Sequence, residues 1–150
     1  MDQFMKRAVE LSIENVREGG QPFGAVLVKD GDIVSEGVNE IHKKYDVSGH
    51  AELVAIRKAQ EKLQTNDLSG AVMYASGEPC PMCLTAMFYA GIEKGYYCAS
   101  ISDTAKVGLG ASVTLYEDFQ KPREDRTVKM YSMPLEDGQE DPMKLWKELN

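Results

Sequence analysis

The run of apolar and polar positions divides the chain into short elements. Over residues 1–17, Phe4, Met5, Ala8, Val9, Leu11, Ser12 and Val16 share one helical face, which Lys6, Arg7, Glu10, Glu14 and Arg17 avoid. Gly19-Gly20 ends this helix. Residues 23–28 read as a buried strand, Lys29-Asp30-Gly31-Asp32 as a hairpin turn, and residues 33–38 as the returning strand. A polar loop follows over 41–49. Residues 50–63 predict a helix with Leu53, Ile56, Ala59 and Leu63 as its core stripe and Gly49 as its N-cap. Residues 71–75 form a short apolar strand. Pro79-Cys80-Pro81 opens a further helix that runs to about Ala90 and stops at Gly91. Residues 94–99 are again strand.

Beyond that point the pattern predicts a short helix over 103–107 and a strand over 127–133. Asp141 and Pro142 then cap a terminal helix, with Leu145, Trp146 and Leu149 as its apolar patch. Strand–helix–strand units in the middle imply parallel pairing, and the opening hairpin adds an antiparallel pair. The expected architecture is an α/β fold: one domain over residues 1–150, with a mixed sheet of about five strands and helices on both faces.

Charge narrows the function classes. Asp and Glu number 24 against 17 Lys and Arg, a formal net charge of -7. That disfavours a non-specific nucleic-acid binder, which needs a cationic surface to displace counterions, and it suits a small, weakly charged substrate. No apolar run is long enough to span a bilayer. The N-terminus shows no signal-peptide pattern, so the sequence is read as cytoplasmic. The three cysteines, Cys80, Cys83 and Cys98, argue for a metal site or free thiols rather than a disulfide framework.

Two stretches carry the chemistry: Gly49-His50-Ala51-Glu52 and Ser76-Gly77-Glu78-Pro79-Cys80-Pro81-Met82-Cys83. Cys80 and Cys83, three apart at a helix start, lie on one face where free N–H groups favour thiolates. Two thiolates and the His50 imidazole suit Zn2+ and leave a fourth tetrahedral position for water, the mark of a catalytic zinc. Glu52 lies roughly 200° around an ideal helix from His50. It is therefore placed to reach the water rather than the metal, as a general acid and base. Other readings stay open on these residues alone: a redox Cys-x-x-Cys, or a structural zinc completed by Cys98 or His42. Cys98 itself reads as a buried thiol and His42 as a solvated loop residue.

His50-Ala51-Glu52 followed by Pro79-Cys80-Pro81-Met82-Cys83 resembles the signature of the cytidine-deaminase-like superfamily. The wider match is to its bacterial guanine deaminase branch. It runs through Gln21-Pro22-Phe23-Gly24-Ala25-Val26, Glu36-Gly37-Val38-Asn39, Ala55-Ile56-Arg57-Lys58-Ala59 and Lys121-Pro122-Arg123-Glu124-Asp125-Arg126-Thr127. The resemblance implies a three-layer α/β/α sandwich with a mixed five-stranded sheet. It also implies a zinc-dependent hydrolytic deaminase of a nucleobase or related amino-heterocycle, with Glu52 passing protons between water, a ring nitrogen and the leaving amine. Asn39 would then hydrogen-bond the base, the backbone near Ala51 would help anchor it, and Phe23 would line or abut the pocket. A homodimer is expected, with the segment from about 127 to 150 exchanged between subunits.

Two departures bear on the substrate. Where the branch carries Gly-Phe-Asp-Asp, this chain has Gly108-Leu109-Gly110-Ala111, without a carboxylate; and it ends at Asn150, soon after Trp146, without the branch's terminal aromatic. A tRNA adenosine deaminase and a non-catalytic zinc-bearing member are the competing readings, alongside a cytosine or nucleoside deaminase of the same superfamily. The acidic balance opposes the first, and an intact Glu52 opposes the second.

Overall fold

The first helix, α1 (Gln3–Arg17), begins where Asp2 caps it, accepting from Phe4 N at 2.7 Å. The structure is a computed structural model describing residues 1–150. The buried face of α1 is Met5, Ala8, Leu11, Ser12 and Asn15. Val16, expected on that face, is 48% exposed, and the polar Asn15 takes the inward position instead.

Strands β1 (Gly24–Lys29) and β2 (Asp32–Val38) form the expected hairpin. Its turn needs two residues with positive φ, which Asp30 (53°) and Gly31 (81°) supply. Helix α2 (Ala51–Leu63) then crosses β1 to β3 (Val72–Gly77), helix α3 (Pro81–Ala90) leads to β4 (Lys94–Ala99), and the sheet order is β2-β1-β3-β4. β1 runs antiparallel to both neighbours, whereas β3 and β4, joined through α3, are parallel. Two short helices close this part of the chain, α4 (Ile101–Lys106) and α5 (Ala111–Gln120). The former starts two residues before its expected position, at the Ser100–Asp103 capping box.

Side-chain alternation along the strands divides the core into two layers. Ala25, Leu27, Met73 and Ala75 meet Ala55, Ile56 and Ala59 of α2 and Met87 and Ala90 of α3. Val26 and Val28 meet Met5, Ala8 and Leu11 of α1 on the opposite face. Leu63 lies outside the core at 41% exposure, in the last turn of α2. Close packing sets the position of α2: a Cβ on Gly37 would collide with the carbonyl oxygen of Ala51, and Ser35 Oγ donates to Ala55 O at 2.6 Å. The first turn of α2, which follows His50, is thereby pressed onto β2.

The sheet has four strands, not five. Residues 127–133 are not a strand. A strand needs a partner edge for its N–H and C=O groups. The chain forms two compact units, 1–120 and 121–150. The second contains a 3-10 turn at Arg123–Asp125 and helix α6 (Pro142–Leu149), and offers no such edge. With the fifth strand absent, β4 is an edge strand, and Cys98, expected to be buried, is exposed on it. No helix is long and apolar enough to cross a membrane.

Candidate active site

The two signature stretches end at helix starts on the same face of the sheet. His50, rather than Gly49, is the N-cap of α2, and Cys80 is the N-cap of α3. Neither side chain caps its own helix, so both point elsewhere. They point at each other. His50 Nδ1 lies 3.5 Å from Cys80 Sγ and 3.5 Å from Cys83 Sγ, and the two sulfurs are 3.7 Å apart. In a tetrahedral site with Zn–S of about 2.3 Å and Zn–N of about 2.0 Å, the ligand atoms stand roughly 3.5–3.8 Å from one another. The triangle fits that ion, and no fourth His, Cys, Asp or Glu joins it.

The cysteines are shielded and the histidine is half-buried. Cys83 is fully buried and Cys80 is 8% exposed, packed with Leu53, Met82 and Ala86. The hydrogen bond with Cys83, then that with His50, holds Cys80 down to about 4, against the opposing effect of its burial. The same bond and burial push Cys83 up. The bond to Cys80 also raises His50 above its ordinary value. Glu52 is 4% exposed, and burial pushes its carboxyl up to about 6.

These groups open onto a cavity of about 260 Å³. His50, Glu52 and Cys80 form its floor, and Gln21, Phe23, Ile41, Glu78 and the Gly108–Ser112 segment its walls. Of the residues expected to hold substrate, Phe23 is on the wall. Ala51 begins α2 with its methyl group fully buried. Asn39, 1% exposed, stands behind Gln21 and donates to its side-chain oxygen at 3.3 Å. Cys98 and His42 stay outside the metal triangle.

Sequence reasoning missed several supports. Tyr116 of α5 donates to Pro79 O at 2.7 Å and so holds the entrance to α3. Glu78 Oε2 accepts from Ile101 N at 2.9 Å, joining the cavity wall to α4. The signal for α5 was weak because Ala111–Gln120 buries little and shows no clear apolar stripe. A larger groove of about 590 Å³ runs between α3 and β4, lined by Leu84, Phe88, Tyr96 and Tyr97. None of the metal-ligating residues faces it.

Comparison with known proteins agrees with this geometry. Residues 1–99 match the family model of the cytidine and deoxycytidylate deaminase zinc-binding region. The chain is 42% identical over 147 residues to guanine deaminase of Bacillus subtilis (strain 168), covering 97% of this chain and 93% of that protein. It is 31% identical over 148 residues to the tRNA-specific adenosine deaminase of Aquifex aeolicus (strain VF5), covering 99% and 95%. The crystal structure of guanine deaminase from Bacillus subtilis superposes with a TM-score of 0.90 at 40% identity, covering 99% of this chain and 95% of that one.

Proposed function

The chain belongs to the cytidine and deoxycytidylate deaminase family of zinc-dependent hydrolases, and on that premise we propose that it deaminates a free nucleobase, with guanine as the first candidate. One observation carries this reading: two corners of the His50–Cys80–Cys83 triangle, His50 and Cys80, line a small cavity together with Glu52, while Cys83 is buried behind them. At about 260 Å³ the cavity is smaller than the roughly 300–1,000 Å³ typical of drug-sized sites. It suits a flat heterocycle better than a nucleotide within a tRNA. The net charge of -7 supports the same choice.

In this reading His50, Cys80 and Cys83 would hold Zn2+, which would lower the pKa of a bound water and so make it nucleophilic near neutral pH. Glu52 accepts a proton from the water whose oxygen bonds to the amine-bearing carbon, and delivers it to the adjacent ring nitrogen. It then takes the proton of the newly added hydroxyl and passes it to the amine, so that the C–N bond breaks, a carbonyl forms and ammonia leaves. Phe23 and the first-turn N–H of Ala51 hold the ring, backed by Asn39. The deaminase domain spans both units. Residues 127–150 exchange between the subunits of a homodimer, and the protein works in the cytoplasm.

The test is ammonia release by zinc-loaded protein presented with guanine, adenine, cytosine and their nucleosides. Turnover of guanine above the others is expected. Turnover of none of them would overturn the reading.

A further inference from the structure

The amide orientations around the cavity are fixed by backbone groups, and together they determine what the wall offers a substrate. Ile41 N donates at 3.1 Å to the Asn39 side chain. A backbone N–H can only donate, so the atom it meets is Oδ1, and Asn39 must turn Nδ2 the other way. Nδ2 meets the Gln21 side chain at 3.3 Å. An N–H needs an acceptor there, so Gln21 presents Oε1 to Asn39. The oxygen of Gln21 is thereby committed from behind, and its NH2 is left for the cavity that Gln21 lines.

The backbone beneath this relay is equally constrained. Asn15, 2% exposed, donates through Nδ2 to Gln21 O at 2.8 Å and to Asn39 O at 3.0 Å. Both partners are carbonyls, so this amide is oriented too. Its Oδ1 is buried without a hydrogen-bond partner, a cost of the kind kept only where the surroundings require the geometry. Asn39 N donates to Phe23 O at 3.1 Å, tying the same two segments together once more. The Gly108–Ala111 stretch across the cavity adds no side-chain hydrogen-bonding group of its own.

We propose that Gln21 is a specificity-determining residue: its outward NH2 reads a hydrogen-bond acceptor, an oxo oxygen or an unprotonated ring nitrogen, on the edge of the bound base. This deepens the base-deaminase reading and rests on it. A site built to donate to such an acceptor rejects an analogue that lacks it, because the donor, covered by the bound base, is then left unpaired.

The test compares binding of guanine, 2-aminopurine (no oxo group) and 7-deazaguanine (no N7 acceptor) to the zinc-loaded protein by calorimetry, with ammonia release followed in parallel. In the unaltered protein at least one analogue binds about tenfold or more weakly than guanine. In Gln21→Ala that gap closes to within about threefold, because guanine weakens and the analogue does not. Gln21→Glu keeps the acceptor that Asn39 needs but turns a carboxylate outward, so guanine binding falls below that of Gln21→Ala. Zinc content stays unchanged in both variants. Equal weakening of all three bases, or an unchanged gap, overturns the assignment. Base discrimination through Gln21 without any ammonia release overturns the deaminase reading and leaves the assignment standing. Absence of binding by all three bases overturns both.

Discussion

At the residue scale, the site separates side chains that sequence chemistry can identify from those it cannot. His50, Cys80, Cys83 and Glu52 were legible because few residue types bind zinc or move protons, and their spacing placed them at helix starts. Gln21 was not legible. Its amide is oriented by Asn39, 18 positions away, and Asn39 in turn by Ile41, while Asn15 of α1 secures the backbones of both Gln21 and Asn39. Asn15 is polar, so the apolar stripe of α1 gave no sign that it is buried. For Glu52 the expected magnitude is set by the role proposed for it. Proton transfer by a positioned side chain contributes about 10²–10⁴-fold. Glu52→Gln, close in shape, should lower kcat by that range while zinc content stays at the level of the unaltered protein. A loss below tenfold would remove Glu52 from the mechanism, and a parallel loss of zinc would make it a ligand.

At the element scale, the helix starts matter more than the helices. Each of α2 and α3 delivers a ligand from its N-cap, and Cys83 follows one turn into α3. That arrangement depends on α2 lying directly on β2. Gly37 permits this contact, since a methyl group there would strike the Ala51 carbonyl, a backbone atom that cannot rotate away. Gly37→Ala should therefore destabilise the fold by about 1–3 kcal/mol, as overpacking does, and should also weaken zinc binding because His50 precedes the displaced turn. Urea unfolding and zinc titration check the two effects, and unchanged zinc affinity in a destabilised variant would break the link between them. Zinc itself joins the two helix starts. At a free concentration 100 times its dissociation constant it adds about 2.7 kcal/mol. For a chain of this length each kcal/mol moves Tm by about 2–4 °C, so chelation should lower Tm by roughly 5–10 °C. Cys83→Ala should show no such response. The four strands of the sheet and the helices between them were legible from periodicity. The fifth strand was not correctly legible, because residues 127–133 have strand-like composition and composition does not supply a neighbour to pair with.

At the scale of the whole molecule, the unanswered demand is for covered apolar surface. β4 is an edge strand whose Tyr96 and Tyr97 are 45% and 49% exposed, and on α3 beside it Phe88 is 79% exposed. Within the second unit taken by itself, Tyr131, Met133, Trp146 and Leu149 are all largely exposed. A monomer rarely leaves open an apolar groove such as the one Phe88, Tyr96 and Tyr97 line together, and an unprotected strand edge invites pairing with another chain. The sequence could show these residues as apolar but not as exposed, because exposure depends on which segments return to cover them. A second copy of the chain is the partner that the proposed homodimer supplies, with a closed two-fold interface as the commonest solution. Light scattering at micromolar concentration should then give twice the 16.7 kDa mass of one chain. Tyr97→Lys places a charge on the open edge of β4, at a residue that does not line the cavity holding His50, Glu52 and Cys80. It should shift the mass toward one chain while leaving zinc content intact. A single-chain mass for the unaltered protein at that concentration would refute the dimer, and a dimer indifferent to Tyr97→Lys would move the interface away from β4.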